Sequence, residues 1–341
     1  MITTGDKPFY YYPALTIHPD EIFSYMSFDC VSSVKRRAET WKQNFEVNRI
    51  GTTMSKKSKQ KVNRAIKYLL YYSKEKTVYR TSKHSTFKFK VAFVTLTLPS
   101  KQVHTDKQIK EECLNQFLIE AKKKWNVRNY IWKAEKQQNG NIHFHILTDC
   151  FIPYQELRNT WNRIINKLGY VDEYRKKHHK LSPNSTDIHS LKKVKNIYSY
   201  ISKYFDKPTK ANRKVVKASQ INYTKKYTPG TRTVSNGAKM FLYRTSGRGR
   251  IYGTSYELAN ITGAKAELTM ELWAEIEKLL QKKHAKVKDK KYVTCYFFRI
   301  GDIDKEETPL IYNLLESYVR QLFPDTQQTI DIPTHSHFLT V

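Results

Sequence analysis

Two hydrophobic periods alternate along this chain. Over residues 58–74, Val62, Ala65, Ile66, Leu69 and Leu70 share one side of a 3.6-residue repeat, which predicts an amphipathic helix. Residues 87–98 are β-branched and aromatic, apolar nearly throughout their second half, and end at Pro99; they predict one long strand. A capping box from Thr105 to Gln108 opens a helix that carries Ile109, Leu114, Phe117, Leu118, Ala121 and Trp125 at helical spacing. Residues 129–135 and 142–148 predict two strands around a Gln-Asn-Gly turn. Residues 153–168 predict a helix with Leu157, Trp161, Ile164, Ile165 and Leu168 inward and Gly169 as its stop. A short strand near 186–189 leads into a helix over about 192–206. Beyond lie a helix at 270–284, a strand at 292–300 and a helix at 309–323, with Thr269 and Thr308 as N-caps. This order, with at least one antiparallel hairpin, predicts an α+β fold: an antiparallel sheet with packed helices.

Composition narrows the partner. The 341 residues are long enough for two to three compact units, and 27% charged with 39% hydrophobic residues is a globular composition. Lys+Arg number 61 against 31 Asp+Glu, a net charge of +30. Such an excess calls for a polyanion, either nucleic acid or an anionic membrane surface. No apolar run approaches the roughly 18 residues of a spanning helix, and the first thirteen residues lack a signal-peptide layout, so no membrane partner is expected. Cys30, Cys113, Cys150 and Cys295 have no CxxC spacing and read as packed thiols in a reducing cytoplasm.

The charge is concentrated. Residues 55–90 hold twelve Lys/Arg and the single acid Glu75. Residues 207–256 hold twelve Lys/Arg and no acid, among turn residues and the aromatics Tyr223, Tyr227, Phe241 and Tyr243. Candidate phosphate contacts there are Lys207, Lys210, Arg213, Lys214, Lys217, Lys225, Lys226, Arg232, Arg244, Arg248 and Arg250, with Lys193 upstream. Bases at this density neutralise phosphates, and aromatic faces stack on unpaired bases. A solvated basic surface is the alternative. Residues 300–341 are instead acidic.

His143-Phe144-His145 lies in a strand, so both imidazoles share one face while Ile142, Phe144 and Ile146 point to the core. Glu135 on the neighbouring strand is the candidate third ligand, and register decides. A two-residue Asn139-Gly140 loop sets Glu135 opposite Phe144, on the wrong face. A three-residue Gln138-Asn139-Gly140 loop sets it opposite His143; Gly140 suits the left-handed position of that loop, which is therefore preferred. Two His and a carboxylate suit Mg²⁺ or Mn²⁺ in phosphate chemistry, and Zn²⁺ shares the ligand types. A lone His-x-His is also compatible with two hydrogen-bonded surface histidines.

In the helix expected at 192–206, Val194, Ile197, Tyr198, Ile201 and Phe205 form an apolar stripe. Lys193, Asn196, Tyr200, Lys203, Tyr204 and Lys207 fall within roughly 60° of Tyr200 on the opposite side. Tyr200 and Tyr204 are thus i,i+4 neighbours on a cationic face. A free phenol, pKa near 10, is a poor nucleophile; nearby lysines favour phenolate. Packing or phosphate binding by the two tyrosines is the alternative.

Three segments in this order resemble the motifs of HUH endonucleases, arranged as in rolling-circle replication initiators. Phe93-Val94-Thr95-Leu96-Thr97-Leu98-Pro99 is similar to the first, His143-Phe144-His145 to the second, and Tyr200-Ile201-Ser202-Lys203-Tyr204 to the third in its two-tyrosine form. The metal motif precedes the tyrosines, the reverse of mobilisation relaxases. The resemblance covers about residues 60–210 and is closest to phage and plasmid initiators. It implies site-specific nicking of single-stranded or origin DNA by Tyr200 through a 5′-phosphotyrosine, a second transesterification by Tyr204, and Lys203 beside the phenol. It also implies a divalent metal, Mg²⁺ or Mn²⁺, on His143, His145 and Glu135. No GxxxxGK[ST] motif occurs, so a host helicase and polymerase are implied, in a bacterial cytoplasm. A transposase of the same catalytic class and a non-catalytic nucleic-acid-binding protein are the competing readings. The expected divisions are 1–54 without assigned role, 55–210 as nuclease domain, 207–256 as basic DNA-binding segment, and 257–341 as a C-terminal α/β region.

Overall fold

In the computed structural model the described residues are 11–28, 56–80, 84–191 and 251–324, and the chain divides into two units. The strands run β1 (Tyr11–His18), β2 (Glu21–Phe28), β3 (Lys76–Arg80), β4 (Ser85–Phe89), β5 (Val91–Leu96), β6 (Tyr130–Lys136), β7 (Ile142–Thr148), β8 (Thr186–Leu191), β9 (Tyr252–Thr254), β10 (Ala264–Glu267), β11 (Lys286–Lys290) and β12 (Val293–Phe297). The helices are α1 (Lys56–Tyr72), α2 (the contiguous turns Asp106–Gln108, Ile109–Leu114 and Asn115–Trp125), α3 (Tyr154–Asn166), α4 (Tyr170–His178), α5 (Tyr256–Ala259), α6 (Met270–Leu280) and α7 (Pro309–Leu322). This is the α+β class expected from the pattern. No helix among the described residues is long and apolar enough to cross a membrane.

The central unit is built on an antiparallel sheet of order β8-β5-β7-β6-β9. Alternation divides its faces. Val94, Leu96, Trp132, Ala134, Ile142, Phe144 and Ile146 point one way, into a core shared with Ile109, Leu114 and Phe117 of α2 and Leu157, Trp161 and Ile165 of α3. Gly253 is required at the β9 edge: a Cβ there would stand 2.5 Å from the Trp132 indole nitrogen. The capping box is present, with Gln108 N donating to Thr105 Oγ1 and Thr105 N donating to Gln108 Oε1. The apolar face of α1 is buried as its period requires.

Two expectations need correction. The strand read across 87–98 is two strands with a bend at Lys90. In β4, Phe87 and Phe89 alternate with lysines and pack on Phe151, while β4 pairs with β3 in a separate ribbon. In β5 both faces are buried, so the continuous apolar run belongs to the sheet alone. The helix read across 153–168 ends at Asn166, and Gly169, at φ +79°, opens α4 rather than a loop. Only Tyr170 and Val171 of α4 are buried, so it has no apolar period to read.

The terminal unit joins the two ends of the chain. Its antiparallel sheet has the order β10-β1-β2-β12-β11, so a hairpin from the unassigned first 54 residues sits between strands from 264–297. Leu15, Ile17 and Ile22 are at 0% exposure on one face, and Tyr296 of that face meets Trp273 of α6. Thr269 caps α6 by accepting from Leu272 N. Thr308 does not cap α7 with its side chain; its hydroxyl donates to Asp304 O. The first α7 amides, Leu310 and Ile311, instead donate to the buried Glu275 carboxylate of α6, each at 2.9 Å. A carboxylate satisfies those amides and complements the helix dipole.

Candidate metal centre

The β6–β7 hairpin takes the three-residue loop. Gln137 N donates to Asn141 O at 2.8 Å, Gly140 N donates to Gln137 O at 3.1 Å, and Gly140 sits at φ +87°. Glu135 therefore pairs with His143, and Lys133 with His145. A loop one residue shorter would turn Glu135 to the core. A second tie holds this register. Gln102 Oε1 accepts from Ile142 N at 2.6 Å, and Asn141 Oδ1 accepts from Gln102 N at 2.9 Å, clamping the chain after β5 to the residue before His143.

Glu135, His143 and His145 bring their ligand atoms within 4.8 Å of one another. His143 Nε2 stands 3.6 Å and His145 Nε2 3.7 Å from Glu135 Oε2. These separations are too long for hydrogen bonds. They approach the spacing of donors around one cation: atoms about 2.1 Å from a shared ion lie about 3.0–3.4 Å apart at octahedral to tetrahedral angles. Both ring nitrogens of His143 are buried and lack a hydrogen-bond partner among the described residues. Orphaned nitrogens beside a carboxylate are what a missing cation leaves behind, so the three residues fit a divalent metal.

The surroundings set each ligand's state. Lys133, buried beneath the triad, holds Glu135 Oε1 at 2.8 Å and leaves Oε2 facing the two imidazoles. Burial alone would raise the Glu135 carboxyl. His143, His145 and Lys133 outweigh it and hold the group well below the usual carboxylate range. Burial pushes His145 down, favouring the neutral imidazole that can ligate. Its Nδ1 lies 3.2 Å from Thr95 Oγ1, and Phe93 stacks on its ring with centroids 5.1 Å apart. With Nδ1 bonded to Thr95, Nε2 is the nitrogen left for the triad.

Lys133, Thr95 and Phe93 are not among the ligand-site residues that the sequence singles out. Alternation does carry them: Lys133 is two residues before Glu135, and Phe93 and Thr95 share one face of β5. The pairing of Thr95 with His145 is what the sequence lacks. Tyr200, Lys203 and Tyr204 lie outside the described residues, as does the helix expected at 192–206. So do Lys193, Lys207, Lys210, Arg213, Lys214, Lys217, Lys225, Lys226, Arg232, Arg244, Arg248 and Arg250. Of the cysteines, Cys113, Cys150 and Cys295 are free and buried, as expected; Cys30 is outside the described residues.

Fold and site together define an antiparallel-sheet domain with a two-histidine, one-carboxylate cluster on the face opposite its helical core. Residues 91–209 match the family model of the ORF2-type replication-associated proteins, a stretch that spans β5, the triad and the two tyrosines. No curated protein matches the chain.

Proposed function

We propose that this chain is a replication initiator of the HUH type that nicks and rejoins single-stranded DNA at an origin during rolling-circle replication. The carrying observation is the triad: three ligand atoms within 4.8 Å, on one sheet face, inside the stretch similar to replication-associated proteins. Glu135 Oε2, His143 and His145 would hold Mg²⁺ or Mn²⁺, with Lys133 occupying the other carboxylate oxygen and Thr95 orienting His145. A bound divalent ion supplies electrophilic polarisation of the scissile phosphate.

The nucleophile comes from Tyr200. Its phenolate oxygen attacks phosphorus, the P–O3′ bond breaks, the departing 3′ oxygen takes a proton, and a 5′-phosphotyrosine forms. Lys203, i+3 in the helical reading, favours the phenolate. Tyr204, one turn on with Lys207 at the same spacing, serves the second transfer that frees and closes a displaced circle. Chain length supports this assignment. Tyr200 follows Leu191 of β8 by nine residues, about 14 Å as a helix, and β8 lies two strand spacings, about 10 Å, from β7. The basic residues between Lys207 and Arg250 bind the DNA backbone, and a host helicase and polymerase in the cytoplasm extend the freed 3′-OH.

The test is incubation of the chain with single-stranded oligonucleotide pools and Mn²⁺, followed by a denaturing gel. A covalent adduct is expected. It should be missing in Tyr200→Phe, and present but unresolved in Tyr204→Phe. Tyr198→Phe, on the apolar stripe, should nick at a near-normal rate. Absence of any adduct from the unaltered chain would leave a non-enzymatic binding protein.

A further inference from the structure

The terminal sheet has a second face, and its composition differs from that of the face under α6 and α7. Cross-strand pairing fixes its rows. One runs Lys265–Thr16–Phe23–Cys295–Lys288 across all five strands, and the next runs Glu267–Ala14–Tyr25–Val293–Lys290. A third row holds His18, Glu21, Phe297 and Lys286. Phe23, Tyr25, Val293 and Phe297 all keep partial exposure, where Leu15, Ile17 and Ile22 on the opposite face have none. Lys265, Lys286, Lys288 and Lys290 are exposed at the two edges; Glu21 and Glu267 are the only acids on this face among the described residues. Tyr25 is held in place by its hydroxyl, 3.1 Å from Thr16 Oγ1, and Phe23 by an edge contact with His18.

Aromatic rings flat on a sheet and flanked by cations form a platform on which unpaired bases stack while the phosphates run past the lysines. From β10 to β11 the platform spans four strand spacings, about 19 Å. A paired duplex hides its base faces and gains nothing from Phe23 or Tyr25. We infer that this face of the terminal sheet is a binding site for a single-stranded DNA segment, separate from the metal centre. The stacking argument stands by itself; the choice of DNA over RNA rests on the proposed replication role.

The experiment uses the full chain in EDTA, so that cleavage is silent and binding alone is read. Iododeoxyuridine-substituted oligo(dT) is photocrosslinked and the linked peptides are mapped. Crosslinks within residues 21–28 and 293–297 are expected. The variant K286Q/K288Q/K290Q should lower the slope of log affinity against log salt by about 2, since each lost single-strand phosphate contact removes about 0.7. F23L/Y25L keeps apolar bulk, removes stacking and should weaken binding at least about fivefold. If F23L/Y25L proves misfolded by circular dichroism, the lysine variant decides, because its side chains are exposed on an edge strand. An unchanged slope together with no crosslinks in these strands overturns the platform. Tighter binding of oligo(U) than oligo(dT) overturns its assignment to DNA. The adduct assay with Mn²⁺ is a separate readout. Adducts without platform crosslinks sink only the platform, and crosslinks without adducts sink only the nuclease reading.

Discussion

In the central sheet, the row Lys133–His145–Thr95–Asp187 crosses four strands, and its members touch: Lys133 through Glu135, Thr95 through the His145 ring. In the terminal sheet, the row Lys265–Thr16–Phe23–Cys295–Lys288 crosses five strands and ends in solvent at both edges. Both sheets are antiparallel, and both bury the opposite face. The difference lies in what each remaining face tolerates. Ligating atoms must sit within a few tenths of an ångström of their places, so the central face uses short, buried, mutually bonded side chains. Stacking and phosphate contacts tolerate movement, so the terminal face uses rings and long exposed lysines.

The largest effect should come from removing a ligand. His143→Ala is expected to lower cleavage by about 10³-fold or more, since electrophilic activation is worth several kcal/mol and each 1.36 kcal/mol is tenfold. Binding of oligo(dT) in EDTA should change less than about twofold, because it rests on many dispersed cations. The two are read by gel and by fluorescence anisotropy. Equal loss in both would erase the distinction between a face that reacts and a face that binds.

Breaking the Lys133–Glu135 pair tests whether the central face is balanced for a cation. Lys133→Met should destabilise the metal-free protein by about 2 kcal/mol, less than the 3–5 of a fully buried pair because Glu135 keeps 18% side-chain exposure. Mn²⁺ should restore most of that loss, and Mn²⁺ affinity should rise, since the carboxylate no longer has a competing ammonium. Denaturant melts with and without Mn²⁺ check this. A loss of stability that Mn²⁺ leaves untouched would make Lys133 purely a packing residue.

Thr95→Val keeps shape and removes the hydroxyl beside His145 Nδ1. Metal affinity should fall roughly 10–100-fold, with cleavage at saturating Mn²⁺ nearly restored. A reduced rate that saturating metal does not rescue would place Thr95 in the reaction itself.

The parts of this molecule legible in the sequence are those written in local periods. Gly140 in a three-residue loop is enough to set Glu135 opposite His143, and the faces of α1, α3 and β7 follow from spacing. Long-range pairing is not legible. Nothing local ties β1 and β2 to strands near the other end of the chain, and nothing in Thr308 announces that Glu275 caps α7 from another helix. Lys133 is hidden for a different reason: a lysine in a strand reads as solvated until its carboxylate partner is known.

The smallest effect should come from the clamp behind the hairpin. Gln102 gives its side-chain carbonyl to Ile142 N and to Lys136 Nζ, and its amide to Asp106 and His104 O. None of these atoms enters the triad, yet they pin the backbone one residue before His143. Gln102→Ala should cost about 1–2 kcal/mol, because the Ile142 amide and Asp106 carboxylate lose a partner but lie where water can replace it in part. The hairpin register should survive, since the Gln137–Asn141 bond and the left-handed Gly140 still fix it. Mn²⁺ affinity should therefore drop less than about tenfold, in contrast to Thr95→Val, which leaves the backbone alone and touches a ligand directly. Amide exchange at Ile142 is the discriminating measurement. It should quicken in Gln102→Ala and stay slow in Thr95→Val. If both variants quicken it equally, the ligand face and the backbone behind it move as one unit, and the tight placement of the triad comes from the hairpin as a whole rather than from the side chains packed against each imidazole.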